Sequence, residues 1–84
     1  MLSSHKYLKL GDFVAILKPV SNTRLTLLES EHASISSLSA GLVGTIVKVY
    51  DRGRKCQYLV KFADSQGFEY AMVPLKAEEI LVLQ

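Results

Sequence analysis

Eighty-four residues, 49% hydrophobic and 21% charged, describe one globular domain and exclude a disordered chain. A domain this small buries only about 60% of the surface its unfolded chain exposes, so its core has to be dense in apolar groups. One cysteine, Cys56, excludes an internal disulfide and a cysteine-clustered zinc site, and a formal net charge of +2 is too small to name a partner.

The opening "MLSSHKYLKLGDFVAILKPV" holds one apolar run of five residues, 13–17, broken by Lys18 and Pro19. A secretory leader wants about 7–15 apolar residues and a membrane span about 20, so the chain is expected to be soluble and cytoplasmic, with no membrane partner. Residues 13–17, entered through "LGD", form the first predicted strand.

Residues 18–40 break the pattern, with six serines, Pro19, Asn22 and scattered leucines. Leu25, Leu28 and His32 are spaced for one helical face, which predicts a short helix over about 24–32. A connection this long inside a small domain is usually functional or mobile. Its apolar residues Leu25, Leu27, Leu28, Ile35 and Leu38 are too many for a free loop. They either fold over the domain or form a protein-binding patch.

"AGLVGTIVKVY", residues 40–50, opens the strongest predicted strand, 43–50. Glycine weakens a strand interior unless it serves a bend, a bulge or a close backbone approach. Gly41 is read as turning the chain out of the serine-rich segment. Gly44 is read as a bend, or as room for a crossing strand. Strands at 58–62, 68–73 and 80–83 follow, joined by "YDRGRK" and "ADSQG", in which Gly53 and Gly67 supply turn conformations. Alternation puts Tyr58, Val60 and Phe62 on one face, and Phe68, Tyr70 and Met72 on a face opposite Ala71 and Val73. The two aromatic faces are read as two walls of one core. Pro74 cannot donate to a ladder, so the fourth strand is expected to stop before it. "LKAEE" then suits a single 3-10 turn ahead of the last strand.

The segments "LKLGDFVAIL", "GLVGTIVKVY", "YLVKF", "FEYAMVPL" and "EEILVL" together resemble a small SH3-like barrel. In particular they resemble a family of short bacterial proteins, common in cyanobacteria, known as a domain of unknown function. Gly44, Ile46 and Val49 also resemble the KOW pattern of ribosomal and transcription-factor barrels. The resemblance implies an all-β fold, a five-stranded SH3-like barrel, from which the long, partly ordered loop expected at about 18–40 is a departure, since that loop is typically shorter in such barrels. It also implies grooves beside that loop that receive peptides or partner proteins.

For chemistry the chain offers little. Cys56 sits beside Lys55 but its only candidate bases are His5 and His32, and a structural thiol is the simpler reading. "ESEH", residues 29–32, has ligand-type side chains without a second cluster, which suits a solvated loop. No catalytic residue, metal site or cofactor is expected. Lys48, Arg52, Arg54, Lys55 and Lys61 crowd into fourteen residues with one acid, Asp51, and with Tyr50 and Tyr58 beside them. Such a hairpin could track a phosphate backbone and stack bases, or could simply be a charged turn. The leading expectation is a non-enzymatic protein-binding module: an accessory or regulatory subunit, antitoxin-like toward a neighbouring gene product, or self-associating. Nucleic-acid binding through residues 48–61 is the alternative.

Overall fold

The computed structural model describes residues 8–28, 37–52 and 55–83, without the side chains of Arg52 and Lys55. Eight strands follow in order: β1 (Phe13–Ile16), β2 (Val20–Ser21), β3 (Thr26–Leu27), β4 (Ser37–Leu38), β5 (Val43–Arg52), β6 (Lys55–Ala63), β7 (Glu69–Lys76) and β8 (Ile80–Leu83). Six make one antiparallel sheet in the order β3-β7-β6-β5-β1-β8, and β2 pairs with β4 in a second, two-stranded sheet. The domain is all-β, its only helical pieces among the described residues being 3-10 turns at Asn22–Arg24 and Ala77–Glu79. Among the described residues the strand count exceeds the expected five because 20–21, 26–27 and 37–38 form three short strands. In hydrogen-bonding order the large sheet is open, with β3 and β8 at its edges.

Glycine with positive φ starts two of the strands. Gly11 and Gly41 have φ of 89° and 90°. Each is the third residue of a turn closed by a backbone bond, Asp12 N to Lys9 O at 3.1 Å and Leu42 N to Ser39 O at 3.2 Å. These are type II turns, which require a left-handed residue at that position. The Gly11 amide then donates to Ile46 O, and the Gly41 amide to Ile16 O. The two ends of the β1–β5 ladder are therefore stitched in the same way. Gly67, φ 87°, has the same conformation in the loop before β7, where the Asp64 carboxylate accepts from the Gln66 and Phe68 amides. The turn expected at Gly53 lies outside the described residues.

Gly44 serves a different purpose. A Cβ placed there would lie 2.6 Å from Val60 Cγ1, 2.8 Å from the Lys61 carbonyl oxygen and 2.8 Å from Phe62 Cε1. Of the two readings offered by the sequence, close approach of a neighbouring strand is the one realised. Three residues further on, the β5–β6 register slips between Ile46 and Lys48, so Val47 is an extra residue without a partner. A bulge of this kind reverses the inward parity of the strand. Gly44 and Ile46 face the core before it and Val49 packs on the core after it. The 44, 46, 49 spacing is the signature of that bulge.

One face of the large sheet and the two-stranded sheet enclose the core. Val14, Ile16, Val20, Leu38, Ile46, Val60, Phe62, Val73, Leu75 and Ile80 form one buried cluster. Tyr58, Val60 and Phe62 do share its face, but β7 turns the other way from expectation. Ala71, Val73 and Leu75 are buried, whereas Phe68 is 61% exposed. The pairing with β6 sets Val73 opposite Val60 and Ala71 opposite Phe62, and the register shifts only beyond that, where Glu69 comes opposite Ala63. Strand β7 also runs through Pro74 to Lys76. The Pro74 carbonyl accepts from Arg24 Nη2 at 3.3 Å, on the side away from β6. Within a strand the nitrogen and carbonyl of one residue point the same way, so the missing N–H removes no bond to β6. Strand β3 pairs only with Ala71 and Met72 and never reaches Pro74.

The helix expected over about 24–32 does not form in its described part, where a 3-10 turn leads into β3 instead. Arg24 anchors this segment. Its guanidinium donates to both Glu79 carboxylate oxygens, at 2.9 and 3.2 Å, and Glu79 also accepts from the Lys76 amide at 2.9 Å. The Arg24 hydrogen bond, aided by the Lys76 amide, holds the Glu79 carboxyl below its usual value. A depressed carboxylate contributes stability above its unfolded pKa and loses it as pH falls through the lowered folded value. Both partners are partly exposed, so Glu79→Gln should cost no more than about 1 kcal/mol at neutral pH. The difference from the parent in urea unfolding should shrink as the pH drops below 4.5.

Candidate docking face

The sheet face turned away from the core carries several large exposed apolar side chains. Pairing partners in an antiparallel sheet share a face. One row therefore runs Leu83–Phe13–Thr45–Lys61–Met72, and the next Leu81–Ala15–Val43. Phe13 is 59% exposed, Leu81 54% and Val43 45%, with Leu83 and Val47 also open to solvent. At roughly half of their side-chain area each, these five present about 300 Å² of contiguous apolar surface, as much as the largest patch on a typical monomer.

Two grooves flank the bulged Val47. One, of about 330 Å³, is lined by Phe13, Val43, Thr45, Val47, Ala63 and the Lys61–Glu69 ion pair, whose Nζ and Oε1 lie 3.2 Å apart. The other, of about 520 Å³, is lined by Leu8, Lys9, Leu10, Val47, Lys48 and Val49. Val47 keeps the outward side it shares with Val43 and Thr45, and the bulge turns Lys48 outward beside it while Val49 turns to the core. The type II turn at Gly11 holds Leu8–Leu10 beside β5 through the Gly11–Ile46 bond.

The loop leucines sit elsewhere. Leu38 is 3% exposed inside the core and Leu25 packs against that core. Leu27 is half-buried in β3 opposite Ala71, Leu28 is exposed, and Ile35 lies outside the described residues. The segment is thus built into the domain: excising residues 22–38 would remove Leu38 from the core and Arg24 from Glu79.

The basic set is split by the strand geometry. Lys48 and Tyr50 stand together, with the Lys48 ammonium 5.1 Å from the Tyr50 ring centre. Arg52 pairs with Lys55 at the hairpin end, and Arg54 lies outside the described residues. Lys61 is six residues further along β6, about 20 Å of strand away, and is already paired with Glu69. Tyr58 is on the opposite face beside Cys56 and Asp51. Its hydrogen bond to Cys56, followed by burial and nearby negative charge, pushes its phenol up to about 12. Cys56 is a half-buried free thiol. Among the described residues no three His, Cys, Asp or Glu side chains converge on a metal position, and "ESEH" lies outside them. No helix among them is long and apolar enough to cross a membrane.

The outer face of β1 and β8 has a signal in the sequence. "FVAI" and "ILVL" are apolar without interruption, a pattern of strands covered on both sides rather than one. Fold and surface together define a small all-β domain built from a six-stranded antiparallel sheet and a two-stranded one. Residues 10–82 match the family described as a domain of unknown function (DUF4926), and the chain belongs to that family. No curated protein and no solved structure matches it.

Proposed function

We propose that this chain is a non-enzymatic protein-binding module, a small accessory or regulatory subunit on an SH3-like scaffold. The scaffold reading is supported by the β5–β6–β7 meander, the 3-10 turn at Ala77–Glu79 and the return of β8 to pair with β1. One observation carries the function: Phe13, Val43, Val47, Leu81 and Leu83 lie exposed in adjacent positions on a face the core does not use. The occupant is a segment of a different polypeptide rather than a second copy. A two-fold contact would lay this patch on itself, bringing Lys9 and Lys48 toward their own counterparts. Glu69, the acid lining the neighbouring groove, is already bound to Lys61.

Selection from a displayed library of random 12-residue peptides tests this. Peptides enriched on the parent protein should bind Phe13→Asp/Leu81→Asp at least tenfold more weakly, with the variant's circular dichroism unchanged. Equal binding to parent and variant would refute the face.

A second reading, nucleic-acid binding by the β5–β6 hairpin, is favoured by the Lys48–Tyr50 contact and by the Arg52–Lys55 pair at its end. It predicts micromolar binding to an oligonucleotide that weakens steeply with salt.

A further inference from the structure

Resting on the protein-binding reading, we infer that the polypeptide recognised is acidic and aliphatic, lying across the β5 bulge with carboxylates against Lys9 and Lys48. Both lysines line the larger groove, between Leu8, Leu10, Val47 and Val49. Neither takes part in an ion pair among the described residues, where the pairs are Arg24–Glu79 and Lys61–Glu69. The Lys48 ammonium rests on the Tyr50 ring, which steadies its position at the groove wall without neutralising it.

The groove therefore offers two cations that stand outside any ion pair among the described residues, over an aliphatic floor. Its continuation past Val47 offers Phe13 and Val43 beside cations and anions that already satisfy each other. A segment that fits both halves places one or two Asp or Glu residues at the lysine end and large apolar residues at the Phe13 end.

Nucleic acid shares the negative charge but not the rest of the chemistry. Single-stranded nucleic acid is held by aromatic platforms on which bases stack. The groove walls here are leucine and valine, and Tyr50 does not line them. Aliphatic walls suit aliphatic side chains.

The test uses the full chain and one selected 12-residue peptide, together with a version in which every Asp and Glu is replaced by Lys. The expected result is that raising salt from 50 to 500 mM weakens the selected peptide about fivefold, since the contacts are exposed and screened. Lys9→Glu/Lys48→Glu should weaken it at least tenfold while binding the lysine version more tightly than the parent does. That gain of binding shows the variant to be folded. If charge reversal leaves both affinities unchanged while Phe13→Asp still abolishes binding, the acidic partner is refuted and the docking face stands. If no peptide depends on Phe13, the underlying reading fails instead. A 20-nucleotide single strand that competes with the peptide and loses affinity in the lysine variant would overturn the polypeptide in favour of nucleic acid.

Discussion

Gly44→Ala is expected to destabilise the domain by about 3 kcal/mol, the upper part of the range for forcing extra volume into a packed interior. For a domain of this size that is a fall in melting temperature of roughly 15 °C. The reason lies in what the added methyl meets. Val60 Cγ1 and Phe62 Cε1 are side-chain atoms, but the third contact, at 2.8 Å, is the Lys61 carbonyl of the neighbouring strand. Side chains can rotate away; the carbonyl moves only if β6 moves. Combining Gly44→Ala with Phe62→Leu should therefore recover part of the loss and no more. Full recovery in thermal unfolding would mean that the backbone approach is not the constraint.

Phe62→Ala has the largest expected effect, about 3–5 kcal/mol. Phe62 is fully buried, the largest such side chain among the described residues, and it fills the space that Gly44 leaves open. Removing the ring deletes contacts on β5, β6 and β7 together, and backbone pairing on both sides of β6 keeps the walls from collapsing into the hole. Small domains hold only about 5 kcal/mol in reserve, so the variant should be largely unfolded at 37 °C. Proton NMR dispersion and a urea titration would show it. Phe13→Ala is the matched control, since its ring is 59% exposed on the other face of the same sheet. It should change stability by less than about 0.5 kcal/mol.

That contrast between two phenylalanines marks where the sequence is legible. Strand positions follow from β-branched runs bounded by glycine. Gly11, Gly41 and Gly67 have the backbone conformation that turn chemistry demands. Faces are harder, because a bulge shifts parity and nothing local announces it. The slip after Ile46 turns Lys48 outward and Val49 inward, whereas in β7 it is the regular pairing with β6, Ala71 opposite Phe62, that puts Ala71, Val73 and Leu75 inside. Pro74 misleads for a related reason: a residue that cannot donate is harmless when its nitrogen faces a side with no neighbouring strand. The leucines of 18–40 leave packing and a binding patch both open in the sequence because their pairing partners are distant in it. Val20 pairs with Leu38, and Leu27 pairs with Ala71. The uninterrupted apolar runs of β1 and β8 were visible, but only the pairing of β8 with β1 shows that their second face forms one patch.

The most direct measurement is an amide chemical-shift map of the domain on addition of a selected peptide. Large shifts should fall on residues 8–15, 43–49 and 81–83, which carry the outer face and its two grooves. Shifts confined to residues 22–28 and 37–38, or to the hairpin end at 50–57, would contradict the assignment of binding to this face.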